Sequence, residues 1–392
     1  MTVDFNGFLP LPGGACAAEG FSSAASFAEA REHSLPVRLG LVWSRHPCHA
    51  AVYTAGRQAD SAAAALNEEC RSILRGILIR NGSANTGQAG GIVQEHRFRE
   101  QASGILGIPA KELLLAAVGR NSVPLDLEQL GEGLSRLEQA RLLEGEGPRL
   151  ADVLATFPTG QTEYAVSYLE GETIRKVGGC TGYGDLLGID SAGAAGVITT
   201  DVPLSEELLK LALDTVAEKT FGRLAGEEER GFALFLLSPV EEGRIERLES
   251  PEYELFLNGL YAVSLNLARE LIRRRERVPK LWECVVGGAP DDDTARRMAL
   301  HLLSAEGLFP ALTAEHTDWP AVLARAAGVK GWNHPEDVRV ELYGRALGGT
   351  SADPERKKRE ILSGEEVSLI FRLEEGAGRA AAWGGTKVLD RP

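Results

Sequence analysis

Five short segments carry the side chains that could do chemistry. His46-Pro47-Cys48-His49 sets three potential metal ligands within four residues. Ligands this close rarely close a tetrahedral site alone, and no second cluster supplies the rest, so the segment reads as a histidine pair at a strand start, with no metal. Gly178 to Gly184 (GGCTGYG) looks superficially like a phosphate loop. A P-loop needs a lysine after its glycines, but Lys176 precedes them. A dinucleotide fingerprint needs a helix directly after, but a strand pattern follows. The glycines therefore mark tight turns or close backbone approach, and no cofactor is expected. Asp190-Ser191 places a hydroxyl in a Gly/Ala segment. Arg273-Arg274-Arg275-Glu276-Arg277 reads as a charged helix end, where cations suit the dipole. Glu227-Glu228-Glu229 reads as a solvated loop. No GxSxG elbow or HExxH helix is present, so these residues alone name no catalytic set.

The elements that must position them alternate between strands and helices. Val37 to Ser44, Ala50 to Thr54, Ile73 to Arg80, Leu113 to Val118, Ala194 to Thr200, Phe232 to Leu237 and Leu281 to Val286 are apolar runs of strand length. Asn81-Gly82 is a strong turn signal after the third of them. A hairpin is expected from Ala165 to Val177 around Glu170-Gly171. Helical patterns run from Gln94 to Leu106 and from Leu127 to Leu143. Ser205 can cap a helix whose face is Leu208, Leu211, Ala212, Thr215 and Val216. Ser250-Pro251 opens a long helix ending near Arg275. Asp291 to Ser304 is a helix with the stripe Ala295, Met298, Ala299, Leu302 and Leu303, and Thr317 can cap a short one through Ala327. Between Gly178 and Gly196 lie seven glycines in nineteen residues. A Gly- and Pro-rich break near 145–160 reads as a loop or a boundary.

Composition narrows the function classes. The chain has 392 residues, 44% hydrophobic and 25% charged, which is globular and long enough for a core without disulfides. Lys and Arg number 42 against 56 Asp and Glu, a net charge of −14 that opposes a nucleic-acid role. Five scattered cysteines without a CxxC pair fit reduced thiols in the cytoplasm. No signal-peptide pattern opens the chain, and no run approaches the ~20 apolar residues of a membrane span.

Several segments, in order and spacing, carry a resemblance. They are Asn81-Gly82-Ser83-Ala84-Asn85-Thr86-Gly87, Leu106-Gly107-Ile108-Pro109, Leu113 to Gly119, and Gly178-Gly179 through Val197-Ile198-Thr199-Thr200-Asp201. Thr220-Phe221, Glu276 to Lys280 and Asp318-Trp319 follow. Together they resemble the ornithine acetyltransferase family, the glutamate N-acetyltransferases of cyclic arginine biosynthesis. Members of that family cut their own chain, and the freed threonine becomes an N-terminal nucleophile. The resemblance implies an α/β fold, a layered α-β-β-α sandwich with a smaller C-terminal α/β lobe. It divides the chain into an N-terminal extension (1–34), a main layered domain (35–285) and the lobe (286–392).

The departures from the family pattern bear on function. Aligning on Ile198-Thr199-Thr200-Asp201 puts Gly193 at the nucleophile position. Val118 falls where the family has its oxyanion threonine, with Gly119 keeping the glycine half, and Gly182 falls on the substrate lysine. The family's C-terminal asparagine falls near Leu389, and the threonine beyond it finds no counterpart. Glycine can neither attack a carbonyl nor drive an N-to-O acyl shift, and loss of one oxyanion donor typically costs ~10²–10³ in rate. Glu276 matches the substrate glutamate and is expected to face a cleft near Gly119 and Gly182, where it would hold a ligand amine.

The resulting expectation is an unprocessed, cytoplasmic, homo-oligomeric relative that lacks acetyl transfer and binds a small amino-acid-like molecule. Nucleic acid, membrane, metal and cofactor are not expected. An alternative is an acyltransferase or amidohydrolase on N-acylated amino acids, in which Ser191 acts after self-cleavage with its own α-amine as base. A regulatory or structural subunit is a further alternative.

Overall fold

Hydrogen bonding along one strand organises the larger part of the molecule. The computed structural model describes residues 7–28, 36–56, 62–70, 73–83, 90–120, 125–142, 150–154, 163–183, 191–225, 231–241, 244–275, 281–304, 339–344 and 365–385. Strand β3, Val37–Ala55, is nineteen residues long and replaces the two strands expected there. Its first half pairs with β2 (Phe21–Ala28) and β4 (Leu74–Ser83). Its second half, from Cys48 on, pairs with β10 (Phe232–Pro239). The register shift against β4 between Trp43 and Cys48 marks the bend where β3 leaves one layer for the other.

Each layer is completed by a parallel pair with a helical crossover. In the first, β4 leads through α2 (Gly91–Leu106) to β5 (Leu113–Arg120). In the second, β9 (Ala194–Thr200) leads through α5 (Glu206–Lys219) to β10. Strand β7 (Thr173–Tyr183) pairs with β9 and forms the expected hairpin with β6 (Glu163–Glu170), whose far edge takes β1 (Leu9–Leu11). Residues of the expected N-terminal extension are thus strands of both layers. The two-residue β8 (Ser191–Ala192) adds to β5.

Alternation along each strand gives every layer an inner and an outer face. Val42, Ile77, Ile79, Leu114, Ala116 and Val118 of the first layer share one core with Cys180, Ala195, Val197, Ala233, Phe235 and Leu237 of the second. The two layers therefore stack face to face. Outside the first, Leu39, Leu41, Leu78, Leu113 and Leu115 pack on Phe98 and Ala102 of α2 and on Leu130, Leu134 and Leu137 of α3 (Leu127–Leu142). α1 (Ala62–Asn67) joins this outer shell, through Ala63 and Leu66. Outside the second lie α5 and α6 (Pro251–Arg275), linked by the Tyr253 hydroxyl donating to Leu208 O at 3.2 Å. The α-β-β-α order follows.

Two inserts fill the inter-layer space. A 3-10 turn at Gly14–Cys16 is held by Thr199, whose hydroxyl donates to Ala15 O at 2.8 Å. The five-residue α4 (Leu150–Leu154) buries Leu150 and Leu154 in the inter-layer core.

Several local expectations change. Asn81-Gly82 is not a turn: β4 continues through both to Ser83 because β5 pairs with it along its whole length. On α5 the buried set is Leu208, Leu209, Ala212, Leu213, Val216 and Ala217, and Leu211 is exposed. The helix is wedged between the sheet and α6, so the covered face is wider and rotated from the expected stripe. Ser205 does cap it, accepting from Leu208 N at 3.3 Å.

The chain divides into two compact units, Met1–Phe221 with Glu227–Leu271, and Gly222–Gly226 with Ile272–Pro392. The second holds a four-stranded sheet ordered β12 (Arg339–Gly344), β13 (Glu366–Arg372), β11 (Leu281–Ala289), β14 (Gly378–Gly385). α7 (Asp292–Leu302) lays Ala295, Met298, Ala299 and Leu302 on Cys284, Val286, Leu369 and Phe371. A boundary at 285 would cut β11, whose described partners are β13 and β14. Glu227-Glu228-Glu229 and the helix expected after Thr317 lie outside the described residues. Arg273, in the charged run, pairs with Glu366.

A buried ion pair locks α2 onto the first layer. Arg80 Nη1 lies 2.9 Å from Glu95 Oε2, both residues are essentially inaccessible, and the guanidinium sits 5.0 Å from the Phe98 ring centroid. Truncating one partner strands the other charge in the core, which typically costs ~3–5 kcal/mol. Glu95→Ala should therefore lose about that much stability in urea titration. A loss below about 1 kcal/mol would mean the pair is replaceable by solvent.

Candidate functional site

Strand register gathers the residues singled out in the sequence at one end of the sandwich. The β4–β5 ladder sets Asn81 beside Val118 and Gly82 beside Gly119. The short β8 then places Ala192 opposite Gly119 and Ser191 opposite Arg120. One residue later the chain enters the other layer, where Ala194 pairs with Tyr183 and Ala195 with Gly182. Gly193 lies buried at this crossing. Val118 and Gly119 thus meet Gly182, Ser191 and Gly193, from a distant part of the chain, through backbone pairing. Glu276 and Asp190 lie outside the described residues.

The chemistry available there is mostly that of the backbone. Val118 is fully buried on the inner face, where its methyl groups join the apolar core. Gly119 has φ +126°, and a Cβ on it would stand 2.4 Å from Gly82 O. Gly82 itself has φ +144°. The two paired strands lie too close here to admit a side chain, and the left-handed backbone suits glycine. At Gly182 a Cβ would meet Leu154 O at 2.3 Å, because the end of α4 occupies that space. No lysine fits at 182 while α4 is in place.

Two positions escaped the sequence reading. Asn81, read as a turn residue, is buried and donates its side-chain amide to Val153 O at 2.9 Å. α4 fell in the segment read as a loop or boundary, although Leu150, Val153 and Leu154 have the i, i+3, i+4 spacing of a buried helical face.

The buried thiols of the inter-layer core are not poised nucleophiles. Burial holds the Cys180 thiol well above its ordinary range and pushes Cys48 up to about 12. Both are protonated at neutral pH, whereas attack requires the thiolate. Cys48 Sγ donates to Leu74 O at 3.4 Å and serves the β3 bend. Among the described residues no group of three or more His, Cys, Asp or Glu side chains could hold a metal ion. Also among them, no helix is long and apolar enough to cross a membrane.

Comparisons with known proteins match one family over most of the chain. The model of the ArgJ family matches residues 24–386. The arginine biosynthesis bifunctional protein ArgJ of Bacillus subtilis is 25% identical over 362 residues, covering 88% of this chain and 87% of the relative. That of Dehalococcoides mccartyi is 28% identical over 380 residues, covering 93% and 92%. Among solved structures, the crystal structure of the Bacillus halodurans protein of the same name aligns with a TM-score of 0.42 at 20% identity, over 50% of this chain and 95% of that one.

The close Gly82–Gly119 pairing makes a direct prediction. Alanine at 119 must both adopt a positive φ and displace a carbonyl, and such strain costs of order 1–3 kcal/mol. Gly119→Ala should lower the melting temperature and the urea midpoint accordingly. Gly171→Ala, at φ +62° with open space around its Cβ position, serves as the comparison and should cost less. Equal losses in the two variants would show that φ alone, and not the close approach of Gly82, sets the requirement.

Proposed function

The chain belongs to the ArgJ family, and from that premise we propose that it is a diverged member that stays in one piece, does not transfer acetyl groups, and binds a small amino-acid-like molecule. Family membership makes it an ornithine acetyltransferase-like protein. The finer reading rests on one observation: the corner between β8 and β9, where the family's nucleophile aligns, is a buried glycine.

Self-cleavage by an N-to-O shift needs a hydroxyl oxygen to attack the preceding carbonyl, form an ester and leave an amino group for hydrolysis to release. Gly193 has no such oxygen. The Val118 side chain supplies no donor for an oxyanion beside Gly119, and the space at Gly182 is taken by Leu154 O. What supports a retained ligand is Glu276, the polar site residue that the family resemblance carries over, as a partner for a ligand amine. Five free cysteines suit a reducing cytoplasm, where we place the protein as a homo-oligomer.

Intact-mass measurement of the purified protein should give a single species of full-length mass. Two fragments joining at Asp190–Ser191 would instead support a serine nucleophile displaced by two residues. In a strain lacking the acetyltransferase, this chain should fail to restore growth without arginine. Growth dependent on the chain would refute the loss of acetyl transfer.

A further inference from the structure

The seat of α4 has the features of a fitted plug at the end of the sandwich where Gly119, Gly182 and Gly193 meet. Three contacts hold it. Gly40, on the inner face of β3, leaves room for Leu150, whose Cδ1 would lie 2.5 Å from a Cβ there. Gly182, on the inner face of β7, leaves room for the Leu154 carbonyl at 2.3 Å. Asn81, on the inner face of β4, reaches Val153 O. The helix thus touches both layers, and the two glycines and the asparagine face it from three different strands. A helix of five residues has no stability of its own, so these contacts and the burial of Leu150, Val153 and Leu154 are what keep it there.

The opposite end of the same space is filled differently. There the Gly14–Cys16 turn is flanked by β1 and β2 on either side, both paired into sheets, and Gly178 accommodates Gly14 O. α4 is itself in neither sheet. It is held by side-chain packing, a side-chain hydrogen bond and close backbone contact, without the ladder bonds that fasten the strands flanking the Gly14–Cys16 turn.

We propose that α4 is an intramolecular plug of the candidate cleft, and that a ligand reaches the Gly119–Gly193 corner only when residues 150–154 withdraw. This concerns the cleft of the ligand-binding reading above, but its test needs no ligand, so failure of either is told apart. Cys180 reports on the plug, since it lies on the inner face two residues before Gly182 and in one core with Leu154. Cys48 reports on the same core at the β3 bend, where it pairs with Leu74 at the start of β4.

The experiment is native-state alkylation of the full chain with iodoacetamide, followed by peptide mass mapping of both thiols. Asn81→Ala removes one buried hydrogen bond to α4 and should speed Cys180 labelling about five-fold, with Cys48 unchanged. Gly182→Ala forces a methyl group against a backbone carbonyl and should speed it about ten-fold or more. Gly40→Ala meets only the rotatable end of Leu150 and should act more weakly than Gly182→Ala. Should Cys180 and Cys48 change together in Asn81→Ala, or should neither change, α4 leaves only with general unfolding and the plug is overturned. If Gly182→Ala does not fold, Asn81→Ala alone decides. L-ornithine titration of the same variants then tests the ligand reading separately.

Discussion

A nineteen-residue strand that must satisfy its peptide groups in two sheets leaves little freedom to anything around it. The first half of β3 is bonded on both sides by β2 and β4, and the second half is bonded by β10. Because side chains alternate, a slip of one residue in the first half would turn Leu39 and Leu41 away from α2 and α3, and Val42 away from the opposing layer. The register of β3 thereby fixes which atoms of β4 and β10 face inward, and through them those of β5, β9 and β7. The meeting of Val118, Gly119, Gly182 and Gly193 at one end is a downstream result of that register.

The glycines of β7 show how the packing constraint and the loss of side-chain chemistry are connected. Gly178 and Gly182 lie on the inner face and each admits a carbonyl, from Gly14 and Leu154 respectively. Gly179, on the outer face, admits Leu267 of α6. What looks in sequence like a phosphate-binding loop is a strand lined with three close contacts. Once backbone from elsewhere in the chain occupies these places, a functional side chain cannot be restored at 182 by substitution alone.

Much of the architecture is legible in the sequence because it rests on local signals. The runs Leu113 to Val118 and Phe232 to Leu237 are strands, and Ser205 caps a helix through the bond its type suggests. Other features depend on partners far along the chain and are not local. Asn81-Gly82 carries a turn signal, yet pairing with β5 keeps it extended. Val37 to Ser44 and Ala50 to Thr54 look like two strands because His46-Pro47 interrupts the pattern, yet the bend carries the same strand into the other layer. At the site, the order of short segments identifies which residues belong together. That Gly182 abuts α4, and that Asn81 holds it, follows from stacking the two layers and has no signature in either segment.

The corner at Gly193 has a mechanical consequence. On one side of it, β8 is tied to β5; on the other, β9 is tied to both β7 and β10. The two layers are also joined covalently through β3, at the opposite bend. The peptide linkage at Gly193 is therefore a redundant tether. A pull applied across it would be borne by the ladders on either side, and a chain rearranged to begin at Ala194 and end at Ala192 would retain every one of those ladders.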